Sequence, residues 1–178
     1  MVPCGAVKDA QYFVGFDWGF LGSKIGKLCE AAIRMGVPNG IYLLDEIEKM
    51  RPNESGQHPG DVFLQILDPK QNTRVREKFL GVDTDYSQNL FIATANGLEG
   101  IPAPLLDRFD VVALTGYNKS AKAAIGQKLV RRLIQKWRIE EDVRTPDLPG
   151  VIAVAVEKTH AQEKGVRQFG KALNAVFK

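Results

Sequence analysis

The stretch Ile41-Tyr42-Leu43-Leu44-Asp45-Glu46 constrains this chain more than any other. Four apolar residues in a row follow the turn Val37-Pro38-Asn39-Gly40 and predict a short strand buried on both faces, the habit of parallel sheets. Two acids at the end of such a strand put carboxylates at the C-terminal edge of an open α/β sheet, where ligands bind. Asp45 there could hold Mg²⁺ through water, because Mg²⁺ sheds its hydration shell reluctantly. Glu46 could polarise an attacking water as a general base. This is the Walker B arrangement. The competing reading puts both acids on the first turn of a helix over Glu46–Met50.

The remaining pattern supplies a sheet around that strand. Met1–Gly5 reads as a strand stub, Leu90–Ala95 as a second buried strand and Val111–Leu114 as a third. Residues 6–22, rich in glycine and aromatics, read as a loop. A helix is expected from Ser23, which can cap it, to Gly36, which can stop it, with Ile25, Leu28, Cys29, Ala32 and Ile33 at helical spacing. Residues 51–60 form a polar loop, Asp61–Leu67 a short helix, 68–88 an irregular stretch with room for a hairpin, and Pro102–Phe109 a helical turn. After Thr115-Gly116 strand-like runs stop. Helices are expected over Ser120–Trp137, Val151–Thr159 and Val166–Phe177, with a connector at 138–149. The predicted fold is therefore α/β over residues 1–114, a parallel sheet flanked by helices, followed by a small all-α subdomain over 115–178.

Composition narrows the class. The 178 residues are 44% hydrophobic and 25% charged, enough for one compact domain and a small satellite. Net charge is +3 with no long basic run, which argues against a surface built mainly for DNA. Cys4 and Cys29 lack CxxC spacing, so no zinc knuckle or disulfide scaffold is expected, and a reducing, intracellular setting follows. No apolar run approaches the length of a membrane span, and no secretory signal pattern opens the chain.

Three further motifs carry chemistry. Asn96 ends the apolar run Phe91-Ile92-Ala93-Thr94-Ala95, placing a neutral amide beside the first strand's acids; it can orient a water without competing for Mg²⁺. Asn96-Gly97 is also a plain turn dipeptide. Arg108, in Leu105-Leu106-Asp107-Arg108-Phe109-Asp110, is either a salt-bridged surface residue or an arginine finger reaching a neighbouring nucleotide. Arg167, in Gly165-Val166-Arg167, opens a helix, where the dipole disfavours a cation unless an anion lies nearby.

In this order the motifs resemble the second half of an AAA+ ATPase module. The wording Leu43-Leu44-Asp45-Glu46-Ile47-Glu48-Lys49-Met50, Pro59-Gly60-Asp61, Leu67-Asp68-Pro69-Lys70-Gln71-Asn72, Asp85-Tyr86-Ser87 and Thr115-Gly116-Tyr117 resembles the ATP-dependent Lon protease family, from about Gly5 to Lys178. The resemblance implies that Asp45 and Glu46 are Walker B, with ATP and Mg²⁺ as cofactors, Asn96 sensor 1, Arg108 the arginine finger and Arg167 sensor 2. It implies homo-hexameric rings, or assembly with full-length Lon-like subunits, that thread unfolded protein, with weak DNA binding possible. It places the chain in bacterial cytoplasm or mitochondrial matrix. Trp18 and Phe20 fall in the region of the family's pore loop. The wording departs from the usual aromatic-apolar-glycine, since Asp17 stands where the aromatic is common. The competing reading is that Phe16, Trp18 and Phe20 simply pack the loop.

The sequence contains no Gly-x-x-x-x-Gly-Lys-Ser/Thr and no recognisable Ser-Lys dyad, so no peptidase activity is expected from these residues. In the family the strand feeding that phosphate loop lies between those matching Leu90–Ala95 and Val111–Leu114. A gap in the sheet is therefore expected, with exposed strand edges unless the strands close up. Two readings follow: part of the ATPase and unfolding module of a Lon-like protease, or a truncated, non-catalytic AAA+ paralogue acting as an interaction or regulatory subunit.

Overall fold

The computed structural model describes residues 1–19, 21–137, 148–160, 166–167 and 169–171. The chain divides into two compact units, Met1–Val111 and Val112–Lys178.

In the first unit three parallel strands lie in the order β1-β2-β5: β1 (Val2–Pro3), β2 (Ile41–Asp45) and β5 (Leu90–Ala93). Ile41 pairs with Leu90, Tyr42 with Phe91, Leu43 with Ile92 and Leu44 with Ala93. Side chains alternate across a strand, so Tyr42, Leu44, Phe91 and Ala93 share one face. That face meets the core, where Tyr42 and Phe91 stack at 4.9 Å and 11°. Leu28 of α2 (Lys27–Met35) and Phe63 and Ile66 of α3 (Val62–Ile66) are buried in the same cluster.

The opposite face departs from the expected double burial. Ile41 is 59% exposed and Ile92 45%, because nothing among the described residues of this unit covers them. An apolar run predicts that burial is favourable, not that a neighbour exists to provide it.

Val111–Leu114 forms no strand. Its residues are exposed, Leu114 to 91%. Strand propensity reflects packing against cross-strand neighbours more than an intrinsic backbone preference.

Two local corrections follow from capping. The helix expected from Ser23 begins at Lys27, with Gly26 as its N-cap; the Ser23 hydroxyl donates to the Asp17 carbonyl at 2.8 Å instead. A one-turn helix, α1 (Gln11–Val14), lies inside the expected loop and buries Phe13 and Val14. Elsewhere, a 3₁₀ turn at Pro59–Asp61 leads into α3. The hairpin is β3 (Val75–Glu77) against β4 (Val82–Thr84), and α4 spans Ala103–Leu106.

The second unit packs α5 (Lys119–Trp137) against α6 (Leu148–His160) around Val130, Ile152, Val156 and Phe169. The Asn118 side chain caps α5 by accepting from the Ala121 N–H at 2.8 Å. A Cβ on Gly126 would stand 2.8 Å from Phe169 and 2.9 Å from Ile152, so close approach requires glycine there. Arg167 and 169–171 are helical; the rest of the expected final helix, beyond Val166, lies outside the described residues.

Candidate functional site

Asp45 is the last residue of β2, and its carbonyl accepts from the Cys4 N–H at 2.9 Å. The ladder thus fixes where its carboxylate emerges, at the C-terminal edge of the sheet. The acids do not open an α-helix: the chain turns sharply at Glu46, and a 3₁₀ turn follows at Ile47–Lys49. Glu46 has φ 59° and ψ 51°, a left-handed conformation. That geometry costs a residue with a Cβ about 1–2 kcal/mol.

Thr94 holds the turn in place. Its hydroxyl accepts from the Glu46 N–H at 3.1 Å and donates to Asp45 Oδ1 at 2.7 Å. Its own N–H donates to the Leu44 carbonyl at 2.9 Å, and its carbonyl accepts from the Ile47 N–H at 3.1 Å. The Glu46 carboxylate folds back over Gly5, where a Cβ would stand 3.2 Å from Oε2, and pairs with Lys49. This pair is solvated, so Lys49 contributes little energy and leaves the carboxylate accessible.

Asn96 sits among the acids but does not contact Asp45 or Glu46. Its side-chain N–H donates to Glu48 Oε1 at 2.8 Å. Glu48 Oε2 is buried and without a partner among the described residues. Burial is the largest influence on this carboxyl and pushes its pKa up. The Asn96 side chain, backbone N–H groups and the Lys49 charge together outweigh it, so the pKa lies below the ordinary range. Sequence reasoning missed both Thr94 and Glu48. The available signal was the spacing of Glu48, one short turn past the acids.

Arg108 follows α4 and pairs with Asp68, Nη2 to Oδ2 at 3.4 Å. The backbone N–H of Lys70 does most to hold the Asp68 carboxyl low, with help from Gln71 and Arg108. Arg108 is thus a surface ion-paired residue in this chain, one of the two readings of its sequence. Arg167 is exposed in the second unit.

Of the aromatic pair, Phe20 lies outside the described residues. Trp18 is 78% exposed and lies beside Phe79 at the hairpin tip, ring centroids 6.1 Å apart and tilted 35°. The loop is tied to the hairpin by buried Glu77, which accepts from Gly26 N–H at 2.8 Å and Leu80 N–H at 2.5 Å.

No group of three or more His, Cys, Asp or Glu among the described residues could hold a metal. The donor set at Asp45 nonetheless suits Mg²⁺, which takes one or two carboxylates and completes its shell with water and phosphate oxygens. Thr94 occupies Oδ1, and Oδ2 carries no hydrogen bond among the described residues.

A parallel sheet with an acid at the C-terminal edge of one strand and a threonine and asparagine on the next is an α/β site of the AAA+ kind. Residues 17–117 match the ATPase family associated with various cellular activities (AAA), and the chain belongs to that family. Among its curated relatives are Lon proteases. That of Erwinia amylovora is 35% identical over 96% of this chain and 21% of its own length. That of Salinispora arenicola is 36% identical over 99% and 22%. That of Escherichia coli K12 is 36% identical over 96% and 21%. The chain therefore spans about a fifth of the length of these relatives. No helix among the described residues is long and apolar enough to cross a membrane.

Proposed function

We propose that these residues form the Walker B and sensor part of the ATPase module of a Lon-like ATP-dependent protease. The observation that carries this reading is the Thr94 bridge, which places the Asp45 carboxylate and the Glu46 turn as one unit at the edge of the sheet. Asp45 would hold Mg²⁺ through its free Oδ2, and the ion would neutralise charge on the phosphates of ATP. Glu46 would accept a proton from the attacking water. Asn96, with its N–H donated to Glu48, keeps Oδ1 as an acceptor that can orient that water. Arg108 would leave Asp68 for a neighbouring subunit's nucleotide, and Arg167 would act as sensor 2. Residues 1–114 and 115–178 would be the large and small AAA+ subdomains.

In the whole protein this module would work inside the cell, in a hexameric ring. Hydrolysis there would drive unfolding and degradation of polypeptides gripped by Trp18 and Phe20. Exposure of Trp18 supports the grip over simple loop packing. Scattered charge of both signs gives little support to DNA binding, which would fall steeply with salt.

The test is a titration of the purified chain with fluorescent ADP and Mg²⁺, beside Asp45→Ala and Arg167→Ala. Saturable binding weakened by both substitutions would mean that Asp45 and Arg167 hold nucleotide even though the sequence carries no phosphate loop. Saturable binding that neither substitution changes would overturn the assigned roles. No saturable binding would make the phosphate loop decisive and leave these residues either a part of the ATPase module or a non-catalytic, partner-binding subunit.

A further inference from the structure

We propose that Thr94 is a positioning residue for this site, and that its hydroxyl sets which Asp45 oxygen faces a metal. The inference rests on the reading of Asp45 as the metal carrier given above. A hydroxyl has a single proton to donate. Thr94 gives it to Asp45 Oδ1 at 2.7 Å, which pins the side chain about both Cα–Cβ and Cβ–Cγ and leaves Oδ2 without a hydrogen bond among the described residues. The lone pair side of the same hydroxyl accepts from Glu46 N–H at 3.1 Å, the peptide group that enters the left-handed turn. One side chain therefore orients the first acid and stabilises the strained backbone that aims the second.

Three features suit Thr94 to this work. The last registered pair of the ladder is Leu44 with Ala93, so Thr94 stands one step on, level with Asp45. Its backbone is tied on both sides, to Leu44 and Ile47. Its β-branched side chain is stiff at χ1, so a fixed backbone means a fixed hydroxyl. Thr94 is exposed and outside the apolar core, so packing does not account for its bonds.

The experiment uses Mn²⁺ as the probe ion, in the presence of ADP, followed by electron paramagnetic resonance on the 178-residue chain. Wild type is compared with Asp45→Asn, Thr94→Val and Thr94→Ser. Groups that orient a metal-binding carboxylate change affinity by about 10–100-fold when removed. Thr94→Val is expected to weaken Mn²⁺ by at least about tenfold, and Thr94→Ser, which keeps the hydroxyl, to restore most of the affinity. Mn²⁺ binding by Thr94→Val equal to wild type, with Asp45→Asn impaired, overturns the inference alone.

A second readout does not depend on the ion. The Hα–Hβ couplings of Asp45 should report one rotamer in wild type and Thr94→Ser, and averaging in Thr94→Val. An unchanged Asp45 rotamer in Thr94→Val overturns the inference. Averaged couplings in a chain whose wild type never binds Mn²⁺ would uphold the positioning role and overturn the metal assignment.

Discussion

Asn96 donates its side-chain amide to Glu48 at 2.8 Å, not to either acid of the Asp45-Glu46 pair. The contact joins the end of β5 to the 3₁₀ turn after β2 and settles the amide's orientation, with nitrogen toward Glu48 and oxygen away. Because the carboxylate form accepts this bond, the fold favours ionised Glu48, and its pKa lies below the ordinary 4.5. A depressed carboxyl pKa contributes stability that is present above the unfolded value and lost as pH falls through the folded one. The Asn96 side-chain amide resonances should therefore titrate with a midpoint below 4.5, and in Glu48→Gln that transition should vanish. A midpoint at or above the ordinary value would refute the linkage.

Gly15 and Glu77 form a second tight relationship. Gly15 has φ 87° and ψ 164°, a region open essentially to glycine alone, and a Cβ on it would overlap Glu77 Oε1. Gly15→Ala should cost about 1–3 kcal/mol from the backbone alone, before displacing the buried carboxylate. Glu77→Ala strands the N–H groups of Gly26 and Leu80, at about 1–3 kcal/mol each where water cannot reach. Urea unfolding measures both. A change below about 0.5 kcal/mol in either, the range of ordinary surface substitutions, would mean the hairpin is not clamped to the loop through Glu77.

The central strand was legible because four apolar residues and two acids leave few alternatives. The hairpin and the helices α5 and α6 were legible from turn residues and 3.6-residue spacing. Thr94 was not, because a threonine near a strand end is ordinary until its distance to Asp45 is seen. Glu48 was hidden by the sharp turn at Glu46, which brings the next acid round to Asn96, a geometry that no periodicity encodes. The one-turn helix at Gln11–Val14 is too short to show a period. The strand expected at Val111–Leu114 failed for a different reason. Pattern reports what a segment would bury, and burial needs a partner.

The uncovered sheet face is the next consequence. Ile41, Leu90 and Ile92 share it and are about half exposed, an apolar patch that favours association. The purified chain should self-associate as concentration rises, by sedimentation or light scattering. Ile41→Lys with Ile92→Lys should suppress this. Their effect on urea unfolding should stay near the ~0.5 kcal/mol per site usual for exposed positions. Association that is unchanged in the double variant would assign it to another surface.

His58 gives the chain a pH dependence of its own. Its ring Nδ1 accepts from the Gly60 N–H at 3.0 Å, and the His58 backbone N–H donates to Asp61 Oδ2 at 3.3 Å, capping the turn that leads into α3. Only the neutral ring can accept at Nδ1. Burial, the largest influence, holds its pKa below the ordinary 6.5, with the Arg51 charge adding to it and Asp61 and the Met50 carbonyl opposing. The unfolded chain therefore takes up a proton first. Stability from this group is level above the unfolded value, declines as pH falls below it, and levels off again below the folded value. Asparagine can accept the same N–H without titrating. Between about pH 7.5 and 5.5 the wild-type melting temperature should fall further than that of His58→Asn. Parallel curves for the two proteins would show that the cap does not depend on the proton.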